Sequence, residues 1–178
     1  MKTLAFSLTA VLVLLGACKS NPFGDKVKDP FRGSRYESNA RFFRAVGKAQ
    51  SRDENIAKKK ASTQAKAELA GQMNTRIKEV ADDYLSQTDY EERNEITEKF
   101  QSLTRAVVNT NIADLRKIDE AKYFDGTTYT AFVAYEIKKN AMFRFLKKQA
   151  KTDQRINETT RKRIEEMIDA ELEKLEED

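Results

Sequence analysis

Few residues in this sequence are of types that do chemistry. Cys18 is the only cysteine of the 178 residues, and there is no histidine and no tryptophan. Gly16 and Ala17 precede it, side chains small enough for a peptidase groove to approach the backbone. A thiol at that position can accept a diacylglyceryl group, and cleavage before it frees an amine for further acylation. Two or three acyl chains make a stable membrane anchor, since each buried CH₂ contributes ~0.8 kcal/mol. Lipidation of Cys18 would leave no free thiol for disulfides or thiol catalysis. Without histidine, the commonest zinc and copper ligands are missing, as are the His-dependent hydrolase triads. The carboxylates that remain include the adjacent pairs Asp82-Asp83, Glu91-Glu92 and Asp119-Glu120. Neighbours in sequence do not face each other on a helix and point oppositely on a strand. They do not make the facing pair that a glycosidase needs. The expectation is a non-enzymatic protein with no metal, no cofactor and no small-molecule substrate.

The residues before Cys18 fit the acylation chemistry. Lys2 supplies a positive start, and Leu4 to Leu15 is an uncharged, apolar run. A spanning helix needs ~20 apolar residues, so this run reads as a cleavable signal segment. Leu15-Gly16-Ala17-Cys18 resembles the lipobox of bacterial lipoproteins. The resemblance implies that residues 1–17 are removed and that Cys18 becomes the lipidated N-terminus. Lys19 stands where an aspartate would resemble the inner-membrane retention signal of enteric bacteria. No acidic cluster follows that would resemble a surface-export signal. An outer-membrane protein facing the periplasm is therefore expected, the alternative being a surface-exposed adhesin or ligand-binding lipoprotein. Nucleic acid is a poor partner for an exported chain whose basic residues are interspersed with acids.

Residues 18–39 hold both prolines, Pro22 and Pro30, with Gly24 and Gly33 close behind, and read as a lipidated N-terminus and tether. Residues 40–139 read as an α+β domain. Ala40 to Gln50 is a strand with Phe43, Ala45, Gly47 and Ala49 on one face. Ser51 and Glu54 have the form of a capping box. The helix after them carries a stripe of Ala57, Ala61, Ala65, Leu69, Met73, Ile77, Val80 and Tyr84. A second helix holds Ile96, Phe100, Leu103 and Val107. A charged strand over 112–123 places Ala113, Leu115, Ala121 and Tyr123 on one face. Asp125-Gly126 signals a two-residue hairpin turn. Beyond it Tyr129, Ala131, Val133, Tyr135 and Ile137 alternate along the clearest strand of the chain.

Val46-Gly47-Lys48-Ala49, the alanine-rich helix and the hairpin into Tyr129-Thr-Ala-Phe-Val-Ala-Tyr135 together resemble small outer-membrane lipoproteins of the Lpp-twenty type. That family's domain is related to the flagellar lipoprotein FlgP and to the N-terminal domain of FlgT. The resemblance covers roughly residues 40–139. It implies a long helix on a small antiparallel sheet, a role in envelope structure or assembly, and no catalytic residues. The helix at 90–110 and the helical extension at 140–178 depart from the family's short form.

Within that extension, one helix holds Met142, Phe145, Leu146 and Ala150. The last carries Ile164, Ile168, Leu172 and Leu175 as a narrow apolar stripe, with Met167 beside it. Residues 165–178 hold eight carboxylates against Lys174 alone. The unit before residue 140 looks complete in itself. The stripe is therefore expected to bind a protein partner or a second copy of the chain, in addition to the membrane contact through Cys18.

Overall fold

The computed structural model describes residues 29–86, 93–109 and 115–177. Cys18, the pair Glu91-Glu92 and Ala113 lie outside them, as does the side chain of Val107. The elements follow the order β1 (Phe42–Ser51), α1 (Glu54–Ser86), α2 (Arg93–Asn109), β2 (Arg116–Phe124), β3 (Tyr129–Lys138), α3 (Lys139–Thr152) and α4 (Glu158–Glu177). β3 is central in an antiparallel sheet of order β1-β3-β2. The fold is α+β, with a long helix on a small sheet and a helical C-terminal region.

Alternation along β1 turns Phe43, Ala45 and Gly47 inward against α1. Opposite them, Ala57 and Ala61 of α1 meet Ala131 and Val133 of β3 in a seam of small side chains. The closest approach is at Gly47, where a Cβ would sit 1.9 Å from the Ala61 carbonyl oxygen. Only glycine permits that contact. α1 starts two residues later than a Ser51 capping box would have it. Ser51 is paired with Tyr129 as the last residue of β1, and its Oγ accepts from the Asp53 N–H at 3.2 Å, ahead of the helix. Asp53 takes the capping role, its Oδ1 accepting from the Ile56 N–H at 2.9 Å. Glu54 instead pairs with Lys122 on β2.

At 33 residues α1 is about 50 Å long, and it outruns the sheet. Its first half lies on the strands. Its second half carries Leu69, Met73, Ile77, Val80, Ala81 and Leu85 into a core shared with all the later helices. Ile96, Phe100 and Leu103 enter from α2, and Met142, Phe143, Leu146 and Ala150 from α3. Ile164, Met167 and Ile168 complete it from α4. Phe143 rather than Phe145 is the fully buried aromatic of α3. Residues 140–177 are thus part of the main core, and no complete domain ends at residue 139.

Two features of the sheet differ from the sequence pattern. The pairing of β2 shifts between Lys117 and Asp119, a bulge at Ile118. An inserted residue reverses which parity faces which side. Leu115 therefore packs on the main core, while Ala121 and Tyr123 point to the sheet's other side. The hairpin loop is Asp125 to Thr128, because Phe124 and Tyr129 form the last pair. The Asp125 carboxylate accepts from the N–H groups of Thr127 and Thr128, at 2.9 and 2.8 Å, and Gly126 takes φ +98°.

The second face of the sheet is covered as well. Phe132 and Ala134 are buried there beneath residues 29–39, part of the stretch expected to be a tether. Phe31 stacks on Tyr36 and meets Phe132 edge-on, with ring centroids 4.9 and 6.3 Å apart. The Tyr36 hydroxyl donates to Asp119 at 2.7 Å. Arg44 of β1 donates to the Ser34 and Glu37 carbonyls. Aromatic side chains in a proline- and glycine-containing segment give it a surface to bury, and it folds down.

Candidate functional site

The terminal stripe does not face outward. Ile164 and Ile168 are fully buried in the chain's own core, and Leu172 and Leu175 are partly buried against it. This corrects the expectation of a partner-binding stripe. α3 runs beside α4 and brings basic residues to its acidic side. Lys147 pairs with Asp169 at 2.6 Å, Arg144 with Glu176 at 3.2 Å and Lys151 with Glu165 at 3.6 Å. Glu171, 2% exposed, lies on the buried side of α4 and is held by Arg76 of α1 at 2.8 Å. Five of the eight carboxylates of residues 165–178, Glu165, Glu166, Asp169, Glu171 and Glu176, are thus paired within the molecule, Glu166 with Arg163 at 2.9 Å. Arg144, Lys147 and Lys151, three and four residues apart, are the signal of this in the sequence.

The carboxylates serve structural pairs. Asp119 and Glu120 diverge across the sheet: Asp119 accepts from Tyr36, while Glu120 binds Lys58 at 2.7 Å and Lys117 at 2.6 Å. The hydrogen bond from Tyr36 holds the Asp119 carboxyl below its ordinary pKa and raises that of the Tyr36 hydroxyl. Glu136, 4% exposed on the second face of the sheet, binds Arg44 at 2.9 Å and also Arg116. Burial opposes its charge, but the hydrogen bonds and charges of the two guanidiniums outweigh that and keep its pKa low. Asp82 and Asp83 are exposed on α1. Among the described residues, no group of three potential metal-ligating side chains converges. Nor is any helix among them long and apolar enough to cross a membrane.

Recesses open on three sides. One of about 280 Å³ lies between α1 and α2, lined by Ile77, Ala81, Phe100 and Thr104. Another of about 360 Å³ is framed by Arg35, Arg44, Arg116 and Lys117 around Glu136. The third, about 490 Å³, lies where the start of β1 meets the end of α4. The first has its floor formed by core side chains, and the charged groups of the second are paired with one another or with Asp119 and Glu120.

The surface with unsatisfied apolar area is at the opposite end, where the hairpin loop and the first turn of α1 meet. Ile56, Tyr123 and Phe124 are the large hydrophobic side chains exposed among the described residues, at 48%, 53% and 56%. All three belong to this sheet pole. Phe124 leans on Tyr129, with ring centroids 4.5 Å apart, on the α1 side. Tyr123 meets Phe132 edge-on at 5.9 Å on the other side. Lys122 lies beside these two aromatics in sequence and pairs with Glu54. The apolar ring and polar hydroxyl of Tyr123 suit a boundary between apolar and wet surroundings. Sequence reading missed this site because the strand pattern assigned Tyr123 to a core face.

No protein family, characterised protein or solved structure that was compared matches the chain.

Proposed function

We propose that the chain is a non-enzymatic outer-membrane lipoprotein, anchored through Cys18 and facing the periplasm. In this reading it is a structural or assembly component of an envelope complex, as the resemblance to Lpp-twenty-type lipoproteins implies. One observation carries the reading: by Asp29 the chain, still within the stretch expected to be a tether, is part of the fold. Asp29, eleven residues after Cys18, is already held to Lys48 of β1 at 3.3 Å. Eleven residues span at most ~40 Å, so an anchor at Cys18 would keep the domain close to the bilayer. A protein built this way suits a fixed place in the envelope better than a long reach from it. The buried carboxylates, each matched to a guanidinium, fit a scaffold.

The test is fractionation of cells producing the chain or its Cys18→Ala variant. The wild type should sediment with outer membranes and resist protease added to intact cells. The variant should stay unprocessed or leave the membrane fraction. A wild-type protein found soluble, or cleaved in intact cells, would contradict anchoring or periplasmic orientation respectively.

A further inference from the structure

We infer that the sheet pole rests on the lipid bilayer itself, with Phe124, Tyr123 and Ile56 set into the headgroup–acyl boundary. The inference rests on acylation of Cys18 as proposed above, and it names what the exposed apolar pole contacts. Its first support is position. β1 and β3 pair from Phe42–Lys138 at one end to Ser51–Tyr129 at the other, so α1 begins and the hairpin turns at the same end. The three exposed hydrophobic side chains cluster there, while the described remainder of the surface buries its large apolar groups.

The second support is where the described chain begins. Asp29 is bound to Lys48, which pairs with Phe132, three residues along β3 from the hairpin end. At ~3.3 Å per residue that is about 10 Å from the pole. From Asp29 the other end of α1 is about 40 Å away, the whole extended reach of the eleven residues back to Cys18, whereas the pole lies within a quarter of it. With the acyl chains in the membrane, the sheet pole is the end the lead brings to the surface. The α2–α4 end then points away.

The third support is chemical. Interfacial contacts combine aromatic and aliphatic side chains with lysines whose stems lie along the apolar surface and whose ammonium groups stay in water. Lys48, Lys58 and Lys122 rim this end, and each is roughly half exposed. All three are paired with Asp29, Glu120 and Glu54, and Asp53 and Asp125 add negative charge nearby. The contact is therefore driven by the apolar side chains, and added salt should weaken it little.

Acylation occupies Cys18, so a cysteine introduced elsewhere can be labelled alone. The full acylated chain would be reconstituted in vesicles of phosphatidylethanolamine and phosphatidylglycerol. A bimane would be attached at Phe124→Cys, at Ile56→Cys or, on the far end of α1, at Asp83→Cys. Each variant would be checked for wild-type unfolding first. Lipids spin-labelled near the headgroup should quench the bimane at 124 and at 56 several-fold more than at 83, with little change in high salt. If the chain is acylated and vesicle-bound but 124 and 56 are quenched no more than 83, the pole faces water or a protein and the inference is overturned. If one of the two pole variants misfolds, the other decides. If Cys18 is free and the chain does not float with the vesicles, the anchoring reading fails, and this inference with it.

Discussion

Replacing Gly47 by alanine should be among the most damaging conservative changes in the molecule. The added Cβ would lie 1.9 Å from the Ala61 carbonyl oxygen, 2.7 Å from the Ala65 nitrogen and 2.9 Å from the Ala61 carbonyl carbon. All three are backbone atoms of α1, so no side-chain rotation relieves the clash. Ordinary contact begins near 3.4 Å, so β1 and α1 would have to part locally by about 1.5 Å. A gap of ~0.5–1 Å already forfeits a quarter to a half of a dispersion contact. The alanine seam formed by Ala57, Ala61, Ala131 and Val133 would lose its closeness along with the Gly47 contact. Overpacking costs ~1–3 kcal/mol, and the rigidity of this site puts Gly47→Ala at the upper end, about 3 kcal/mol. For a domain of this size that lowers Tm by roughly 10 °C. Gly71, on the exposed side of α1, is the control, because a Cβ added there would have nothing within 4 Å. Gly71→Ala should stabilise by ~0.5–1 kcal/mol through helix propensity. Urea and thermal melts followed by circular dichroism would measure both. If Gly47→Ala melts within about 1 kcal/mol of wild type, or the two variants shift alike, the close approach of β1 and α1 is wrong.

Truncating the terminal stripe tests the shared core: Ile164→Ala and Ile168→Ala should each cost ~2–5 kcal/mol, and deleting residues 156–178 should abolish cooperative unfolding. A deletion that melts like wild type would restore the stripe as a separate extension. Arg76→Ala strands the buried Glu171 carboxylate. With Arg76 about one-third exposed, the loss should be about 2 kcal/mol in urea melts, below the ~3–5 of a fully buried pair, and Arg76→Leu with Glu171→Leu should recover most of it. Glu136, Glu120 and Glu166 all have carboxyl pKa values held below the ordinary value. For such groups the stabilisation is fully present above the unfolded pKa of ~4.3 and is lost as pH falls through the lower folded value. The urea midpoint should therefore fall steeply below about pH 4, and less steeply in Glu136→Gln; an unchanged acid limb in that variant would remove Glu136 from the account.

The parts of this fold that are legible in the sequence are those where one residue's type decides one residue's place. The period of four in Ala57, Ala61, Ala65 and Leu69 marks the face of α1 that lies on the sheet, and all four are buried. The alternation from Tyr129 to Ile137 marks the central strand. What is not legible depends on residues far apart in the chain. The bulge at Ile118 has no local signature, and it moves Tyr123 from an expected core face to the exposed pole. Pro30 and Gly33 give residues 29–39 the composition of a linker. Yet Phe31 and Tyr36 find their partners, Phe132 and Asp119, at least 83 residues further along the chain. The stripe on α4 is plainly apolar in the sequence. Its cover, supplied by α1, α2 and α3, becomes visible only with the tertiary structure.

The most direct test of the central claim is the intact mass of the protein extracted from outer membranes. An acylated lipoprotein should give a chain beginning at Cys18, with residues 1–17 absent and a diacylglyceryl group on the cysteine, alone or with an N-acyl chain. A mass that retains Met1 to Ala17, or that shows an unmodified Cys18, would contradict the account.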